Sequence, residues 1–321
     1  MIQVNIIITG LIQGVETLNK VDIYNDLETI CGSCTILKDV PMKEHTTMKV
    51  GGNADLMIIP ESFSCIQKIV KLLQSTNTPY MIMGNGSNLI FRDEGYNGVI
   101  VKIGKPLSDI EVHDDIIVAM AGASLAQVAN TALEHSLTGL EFASGIPGSV
   151  GGAVYMNAGA YDGEMGQVVI ETLCLDSRGN MITLKGDEHN FSYRHSRIQD
   201  DNLTCLQVIM KLKKGEKSKI QSKMNELNAK RREKQPLNYP SAGSIFKRPP
   251  GSFAGMLVDN CGLRGARIGG AQVSDKHCGF IVNTGNATAS DIISLIQYVQ
   301  DTVYKNSGIW LELEVKIVGG Y

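Results

Sequence analysis

The sequence contains 321 residues, of which 43% are hydrophobic, and carries a formal net charge of −3. This length and apolar content are sufficient for two or three domains with substantial cores. Seven cysteines, an odd number at irregular spacings, argue against a disulfide framework and indicate reduced thiols in a cytoplasmic protein.

Residues 1–40 are predicted to form an N-terminal extension. Its apolar segment at residues 6–12 is too short to span a bilayer and lacks the flanks of a signal peptide, so no membrane partner is expected. The pair Cys31-Gly-Ser-Cys34 is not repeated and has no histidine close by in the sequence. We therefore expect no metal site.

From residue 41 the pattern alternates between strands and helices. A short apolar strand is predicted at residues 55–59, an amphipathic helix at 62–73 and another strand at 80–83. The loop Gly84-Asn-Gly-Ser-Asn88 follows, and its small residues can turn several backbone N–H groups toward one phosphate. It is not a Walker A loop, because no Lys-Ser/Thr follows. The alternative is a turn that binds nothing.

The middle of the chain is richer in strands. Residues 98–103, 110–113 and 116–121 are predicted strands, and a helix is predicted to begin after Ser124. Residues 168–176 and 181–184 are predicted to form a hairpin.

Residues 140–161 contain five glycines among apolar and small residues. We expect no ordinary helix here, because each glycine costs about 1 kcal/mol relative to alanine inside a helix. Glycine instead allows positive φ and close backbone approach, which a flat ligand with a pyrophosphate requires. The alternative is a tightly packed bend. The presence of a second glycine loop in the same chain favours a ligand.

The region between Lys211 and Lys276 is basic, with fifteen Lys and Arg against five Asp and Glu. A basic region in an acidic protein indicates an anionic ligand. Nucleic acid is the competing partner, but aromatic residues are sparse here, which argues against it. Helices are predicted at residues 216–234 and 291–305, the second with Ser290 as its N-cap.

Residues 309–318 alternate between apolar and polar side chains and are predicted to form the C-terminal strand. Glu312 and Glu314 would then share one face. From this pattern alone, that face is either solvent-exposed or part of an active site.

Six short motifs occur in a fixed order: residues 84–88, 144–152, 157–159, 193–194, 242–249 and 311–315. Together they resemble the UDP-N-acetylenolpyruvoylglucosamine reductase (MurB) family of peptidoglycan precursor synthesis, over roughly residues 41–319. The chain is similar to the shorter branch of that family, because it has no obvious insertion in its third region.

The resemblance implies an α+β fold with a two-subdomain FAD-binding module of the vanillyl-alcohol-oxidase type, followed by a C-terminal α/β substrate domain. The implied subdomains are residues 41–104 and 105–213, the substrate domain is 214–308, and residues 309–321 carry an active-site glutamate. The implied cofactors are non-covalent FAD and NADPH. The implied partner is a UDP-sugar, with no nucleic acid, no membrane and no obligate protein partner.

The resemblance also implies site residues. Arg194 would stabilise the carboxylate-enolate charge, Ser244 would donate the proton, and Glu314 would complete the site, with Glu312 as its rival. The implied substrate contacts are Tyr155, Tyr193, Lys234, Arg248 and His277. The implied FAD contacts are Gly84, Asn85, Gly86, Ser87, Asn88, Ser144, Gly145, Ile146, Pro147, Gly148, Gly151, Gly152, Asn157, Ala158 and Gly159. His189 and His195 match no catalytic position and are expected to be structural.

The implied reaction is NADPH-dependent reduction of the enolpyruvyl group of UDP-N-acetylglucosamine enolpyruvate to UDP-N-acetylmuramate. Two alternatives remain at this point. One is another flavoenzyme with the same type of FAD domain, such as an oxidase. The other is a non-catalytic protein that binds nucleotides or nucleic acid.

Overall fold

The computed structural model describes residues 20–320. The first nineteen residues of the predicted N-terminal extension, including the apolar segment at 6–12, lie outside the described residues. Within the extension, a helix spans Lys20–Ile30 and a strand spans Thr35–Pro41. Among residues 20–320, no helix combines the length and the apolar character that a membrane crossing would need.

The first sheet carries the first glycine loop at the end of a strand. Its four strands lie in the order Thr35–Pro41, Asn53–Ile59, Tyr96–Lys102 and Tyr80–Met83; the first pair is antiparallel and the other pairs are parallel. The helix Phe63–Ser75 begins at Ser62, whose hydroxyl accepts a hydrogen bond from the Cys65 backbone N–H. These elements confirm the predicted strand, helix and strand.

The second sheet is entirely antiparallel. Its five strands lie in the order Met181–Lys185, Val169–Leu175, Thr204–Lys211, Ile116–Met120 and Ile110–His113. The helix Leu125–Glu134 follows Ser124, as predicted, although the Ser124 side chain makes no capping hydrogen bond. The predicted hairpin is confirmed. Two short pairs complete this region: Leu137–Thr138 with Lys213–Lys214, and Gly159–Ala160 with Gly163–Glu164.

The first and second sheets share one hydrophobic core. Leu56 and Val101 of the first sheet belong to the same buried cluster as Ile117 and Val208 of the second. The helix Lys217–Lys234 adds Ile220 and Met224 to this cluster from its otherwise polar surface. A shared core fixes the relative position of the two glycine loops.

The second glycine stretch contains a helix, contrary to prediction. Val150–Tyr155 is a six-residue α-helix, and Ser149 caps it by accepting a hydrogen bond from Gly152 N at 3.4 Å. The physical reason is close packing, because a Cβ at Gly151 would lie 2.8 Å from Ala121 Cβ. Tertiary contact therefore outweighs the propensity cost of about 1 kcal/mol per glycine.

The third sheet is antiparallel, with strands in the order Ser241–Ser244, Phe280–Asn283, Ala271–Val273 and Arg267–Ile268. The helices Ala254–Asn260 and Ala289–Ser307 pack against it, and with it they form a second buried cluster.

The predicted N-cap of the last helix is wrong. Thr288 is the cap, and its hydroxyl and the Asp291 carboxylate form a reciprocal capping box. Ser290 lies one position inside the helix and donates from both its backbone N–H and its hydroxyl to Asp93 of the FAD-binding region. The capping interaction is thus made by Thr288, two residues before the predicted cap.

The predicted C-terminal strand is too long. Only Lys316–Val318 is a strand, and it pairs in parallel with Leu89–Phe91 directly after the first glycine loop. Residues 309–315 instead follow the third sheet through single contacts, such as Glu314 N to Ile245 O at 2.8 Å. The alternation continues through this irregular segment because Leu311 and Val315 are buried, whereas Trp310 and Glu312 are exposed.

Candidate active site

One cavity of about 1240 Å³ brings the sequence-predicted residues together. Both glycine loops line it, as do Arg194, Ser244 and Glu314. Sites for a single small molecule usually measure about 300–1,000 Å³. The cavity is therefore large enough for a cofactor and a second ligand.

The two glycine loops contact each other so closely that side chains are excluded. A Cβ at Gly84 would lie 2.1 Å from Ser149 Oγ, and a Cβ at Gly86 would lie 2.3 Å from the His45 carbonyl oxygen. Gly86 also has a φ of +64°, which favours glycine. The loops therefore form one continuous backbone surface along the cavity.

The first loop is oriented by its carbonyl groups. The Gly86 carbonyl oxygen accepts a hydrogen bond from the Thr47 N–H, and the Ser87 carbonyl oxygen accepts one from the Thr47 hydroxyl. The Asn88 backbone carbonyl oxygen accepts one from Lys316 N. In a trans peptide, the C=O of one residue and the N–H of the next residue point in opposite directions. The loop thus directs N–H groups away from these partners, in the manner of a phosphate-binding nest. These residues fit a pyrophosphate group.

Most predicted FAD contacts line the cavity, but three do not. Ser144, Gly145 and Asn157 lie behind the surface. Asn157 is fully buried, and its side chain bonds to Ser192 O at 3.0 Å and to Gly166 N at 2.8 Å. Through Ser192, it supports the turn that presents Arg194.

Arg194 and Glu314 form a buried ion pair on the cavity wall. Arg194 Nε lies 2.7 Å from Glu314 Oε1, and their side chains are 20% and 15% exposed. Arg194 Nη2 also donates to the Gly159 carbonyl oxygen at 3.1 Å. Arg194 has a φ of +57°, an uncommon conformation that clusters at functional sites. The turn thus aims the guanidinium into the cavity.

The carboxyl group of Glu314 is biased toward its protonated form. Burial raises its pKa above the ordinary range, and the charges of Arg194 and Lys247 offset part of that effect. Glu312 is placed differently, because its side chain is 72% exposed and contacts Lys247 at 3.4 Å. The geometry brings Glu314, not Glu312, into the cavity.

Ser244 lies beside Glu314 through the backbone. The Glu314 N–H bonds to the carbonyl of Ile245, the residue after Ser244. The Ser244 hydroxyl donates to the Phe246 carbonyl oxygen at 3.0 Å. Burial lowers the pKa of the neighbouring His277, so its imidazole is neutral at neutral pH. A hydroxyl, a carboxyl and a guanidinium therefore line the same cavity.

Comparison with known proteins identifies this arrangement. Residues 54–185 match the FAD binding domain, and residues 235–318 match the UDP-N-acetylenolpyruvoylglucosamine reductase C-terminal domain. The reductase of that name from Clostridium botulinum is 49% identical over 91% of this chain and 95% of its own length. The one from Clostridium tetani is 47% identical over 93% and 97%.

A solved structure agrees with the sequence matches. The MurB reductase from Thermus caldophilus superimposes with a TM-score of 0.76 at 33% identity, over 89% of this chain and 99% of that one. The chain belongs to the MurB family. This confirms the resemblance and the α+β FAD-binding fold predicted from the sequence, and it makes the chain an FAD-containing oxidoreductase.

The substrate contacts expected from the MurB family all line the cavity: Tyr155, Tyr193, Lys234, Arg248 and His277. The Tyr193 hydroxyl accepts a hydrogen bond from Arg248 N at 3.1 Å, and the Arg248 guanidinium lies 4.2 Å from the Phe253 ring centre. His189 is buried away from the cavity, bonded to Thr172 and Gly186, and His195 pairs with Asp200.

Sequence reasoning missed four cations that line the cavity, namely Arg231, Arg264, Lys276 and Lys316. The Lys316 ammonium contacts the Tyr155 hydroxyl and lies 4.3 Å from the centre of its ring. The alternating pattern placed Lys316 on the face of Glu314, so the signal was available. Arg231 also lines the cavity, and its Nε and Nη1 atoms are buried with no hydrogen-bond partner in the described part of the chain. Arg231 is one of many charged residues in the helix Lys217–Lys234, and the sequence does not distinguish it from the others.

Proposed function

We propose that the chain reduces the enolpyruvyl group of UDP-N-acetylglucosamine enolpyruvate to UDP-N-acetylmuramate in the cytoplasm, with NADPH as reductant. The observation that carries this proposal is the Arg194–Glu314 pair beside Ser244, on the wall of a cavity that both glycine loops line. Non-covalently bound FAD, once reduced by NADPH, supplies the hydride.

Arg194 stabilises the negative charge that develops on the substrate carboxylate. The Arg194 guanidinium is held in place by hydrogen bonds from its Nε to Glu314 and from its Nη2 to the Gly159 carbonyl oxygen. An arginine side chain has five N–H groups, so donors remain for a substrate oxygen. A guanidinium that is held in place and mostly buried stabilises such a charge with little reorganisation.

Ser244 delivers the proton that completes the reduction. To do so, its hydroxyl turns from the Phe246 carbonyl oxygen toward the substrate carbon. A hydroxyl is a weak acid, so its proton must be released against nearby positive charge or passed on from another acid. Glu314, with its raised pKa, supports this transfer and orients Arg194.

The diphosphate of the substrate binds where the cavity is basic. Lys234 and Arg248 line this part, and Arg231 lies close to Gly145 of the second glycine stretch. Phosphate groups favour such sites because several cations share the charge. We propose no nucleic-acid or obligate protein partner, since these cations line the same cavity as the two glycine loops.

The test is consumption of NADPH by the purified yellow protein. Beyond the one equivalent of NADPH that reduces the bound flavin, we expect absorbance loss only when UDP-N-acetylglucosamine enolpyruvate is present, with one product per NADPH. The matched control is UDP-N-acetylglucosamine, which lacks the enolpyruvyl group and should give no turnover. Oxygen-dependent NADPH loss that ignores the enolpyruvyl sugar would instead favour the oxidase alternative. A colourless protein without bound FAD would favour a non-catalytic role.

A further inference from the structure

Three cysteine thiols converge where the N-terminal helix meets the FAD-binding region. Cys31 and Cys34 follow the helix Lys20–Ile30, and Cys65 lies in the first turn of Phe63–Ser75. The Cys34 and Cys65 sulfur atoms are 2.8 Å apart, and all three sulfurs lie within 4.8 Å of one another. In the described part of the chain, this is the one group of three His, Cys, Asp or Glu ligand atoms so closely placed.

The local backbone holds the thiols together. The Cys34 N–H donates to the Cys31 carbonyl oxygen at 2.7 Å, which closes a tight turn between the two cysteines. Cys31 is buried in the same core as Ile23 and Leu27 of the preceding helix, whereas Cys34 and Cys65 are half-buried. The cluster is therefore built from fixed elements rather than from mobile side chains.

Three converging thiols offer one ligand atom each to a single ion. Thiolates are the preferred ligands of soft d¹⁰ metal ions.

The spacing of the sulfurs suits one metal ion. With Zn–S bonds of about 2.3 Å, two thiolates on a tetrahedral ion lie roughly 3.8 Å apart. All three sulfurs lie within 4.8 Å of one another, and the 2.8 Å between the Cys34 and Cys65 sulfurs would open by about 1 Å when an ion binds. Residues 1–19 contain neither Cys nor His, so the fourth position falls to water, which reaches the half-buried Cys34.

We propose that Cys31, Cys34 and Cys65 bind one thiophilic d¹⁰ metal ion, with Zn²⁺ as the physiological form. Binding releases the three thiol protons to solvent and involves no redox step. The ion joins the N-terminal helix to the FAD-binding region. None of the three cysteines lines the active-site cavity, so the site is structural and separate from the reductase chemistry. The sequence expectation of no metal site overlooked Cys65, because it lies on a separate helix.

The experiment uses the full-length protein with its FAD, reduced with a phosphine and freed of metal with a chelator. Cd²⁺ alone is titrated while the thiolate-to-metal absorption is followed in difference spectra, and Zn²⁺ is then titrated against a chromophoric chelator. We expect one equivalent of each ion to bind. Zn²⁺ should also raise the melting temperature, because it binds the folded state only.

Three variants and one matched control locate the site. Cys31→Ser, Cys34→Ser and Cys65→Ser should each lose the bound equivalent and the thermal shift. Cys261→Ser should keep both, because Cys261 is a half-buried thiol outside this cluster and outside the cavity. Retained flavin absorbance shows that each variant is folded, and alanine replaces serine at any position where it is lost.

Several outcomes would overturn the proposal. Reduced wild-type protein that takes up no equivalent would do so, as would uptake that survives all three variants or is lost equally in Cys261→Ser. A Cys34–Cys65 disulfide, seen as a loss of two hydrogens in mass, together with no metal uptake after reduction, would instead identify a redox pair.

Discussion

The Nε of Arg194 donates to Glu314 Oε1 at 2.7 Å, joining two residues that are 120 positions apart. Arg194 comes from a turn between the strands Met181–Lys185 and Thr204–Lys211 of the second sheet, and Glu314 comes from the segment that runs along the third sheet. The pair therefore connects the region of the second sheet to the region of the third sheet. This arrangement underlies the first prediction.

Arg194→Lys should lower turnover strongly while leaving FAD bound. Lysine keeps the positive charge but cannot contact both Glu314 and the Gly159 carbonyl oxygen as the planar guanidinium does. Loss of such a transition-state partner typically costs about 2.7–4 kcal/mol, or roughly 10²–10³ in rate. The measurements are steady-state kcat and flavin absorbance per chain. Arg197→Lys is the matched control, since Arg197 forms an exposed pair with Asp201. Near-normal turnover of Arg194→Lys would contradict the role.

Ser244→Ala should separate the two halves of the reaction. Bleaching of the flavin by NADPH needs no proton for the sugar and should be unchanged. Recolouring on addition of the enolpyruvyl sugar should slow by about 10²–10⁴, the range of general acid catalysis. Stopped-flow absorbance measures both phases. Ser241→Ala, in the same strand but outside the cavity, should leave both unchanged. Equal slowing of both phases in Ser244→Ala would indicate that Ser244 only shapes the cavity.

Gly86→Ala should reduce the FAD content of the purified protein. The new Cβ would lie 2.3 Å from the His45 carbonyl oxygen, so the loop must move. Gly251→Ala is a matched control, because its φ of +68° is close to the +64° of Gly86 and it has open space around it. Both variants carry the backbone cost of about 1–2 kcal/mol, so the difference between them isolates the clash. FAD is measured by absorbance after acid release, which also tests whether the flavin is non-covalent. Equal FAD content in the two variants would count against a tightly interlocked loop.

His189 should make the stability of the protein depend on pH. Burial lowers the pKa of His189, so the unfolded chain binds the proton more tightly than the folded chain does. Its contribution to stability is therefore complete above the ordinary value of about 6.5 and is lost as pH falls toward the lowered pKa. His189→Gln should be less stable at neutral pH but should lose stability less steeply on acidification. Urea midpoints across this pH range measure both effects, with the exposed His113→Gln as control. Parallel profiles for the wild type and His189→Gln would exclude the linkage.

Local sequence patterns predicted the elements whose formation is signalled within their own segment of the chain. The helix Phe63–Ser75 and the strand Tyr80–Met83 were found because periodicity and end residues agreed with burial. The helix at Val150–Tyr155 was not found, because packing of Gly151 on Ala121 is a contact between distant parts of the chain. Sequence windows carry no information on such contacts.

The site was predictable only through the family motifs. Nothing local marks Ser244 as a proton donor, since its strand is a short run of small residues. Lys316 and Arg231 were missed because one contacts Tyr155 and the other Gly145 across long sequence separations. Asn157, expected at the cofactor, instead supports the turn of Arg194, because a buried amide satisfies backbone groups on two sides.

The parallel pairing of Lys316–Val318 with Leu89–Phe91 has a consequence for biosynthesis. The chain leaves the ribosome from its N-terminus, so both glycine loops and Arg194 are available for folding while Glu314 and Lys316 are still to be translated. The Asn88 side chain cannot donate its hydrogen bond to the Glu314 carbonyl oxygen until that residue, 226 positions further on, has been translated. The first glycine loop therefore gains its last hydrogen-bond partners only after residues 314–318 have been translated and have inserted beside it.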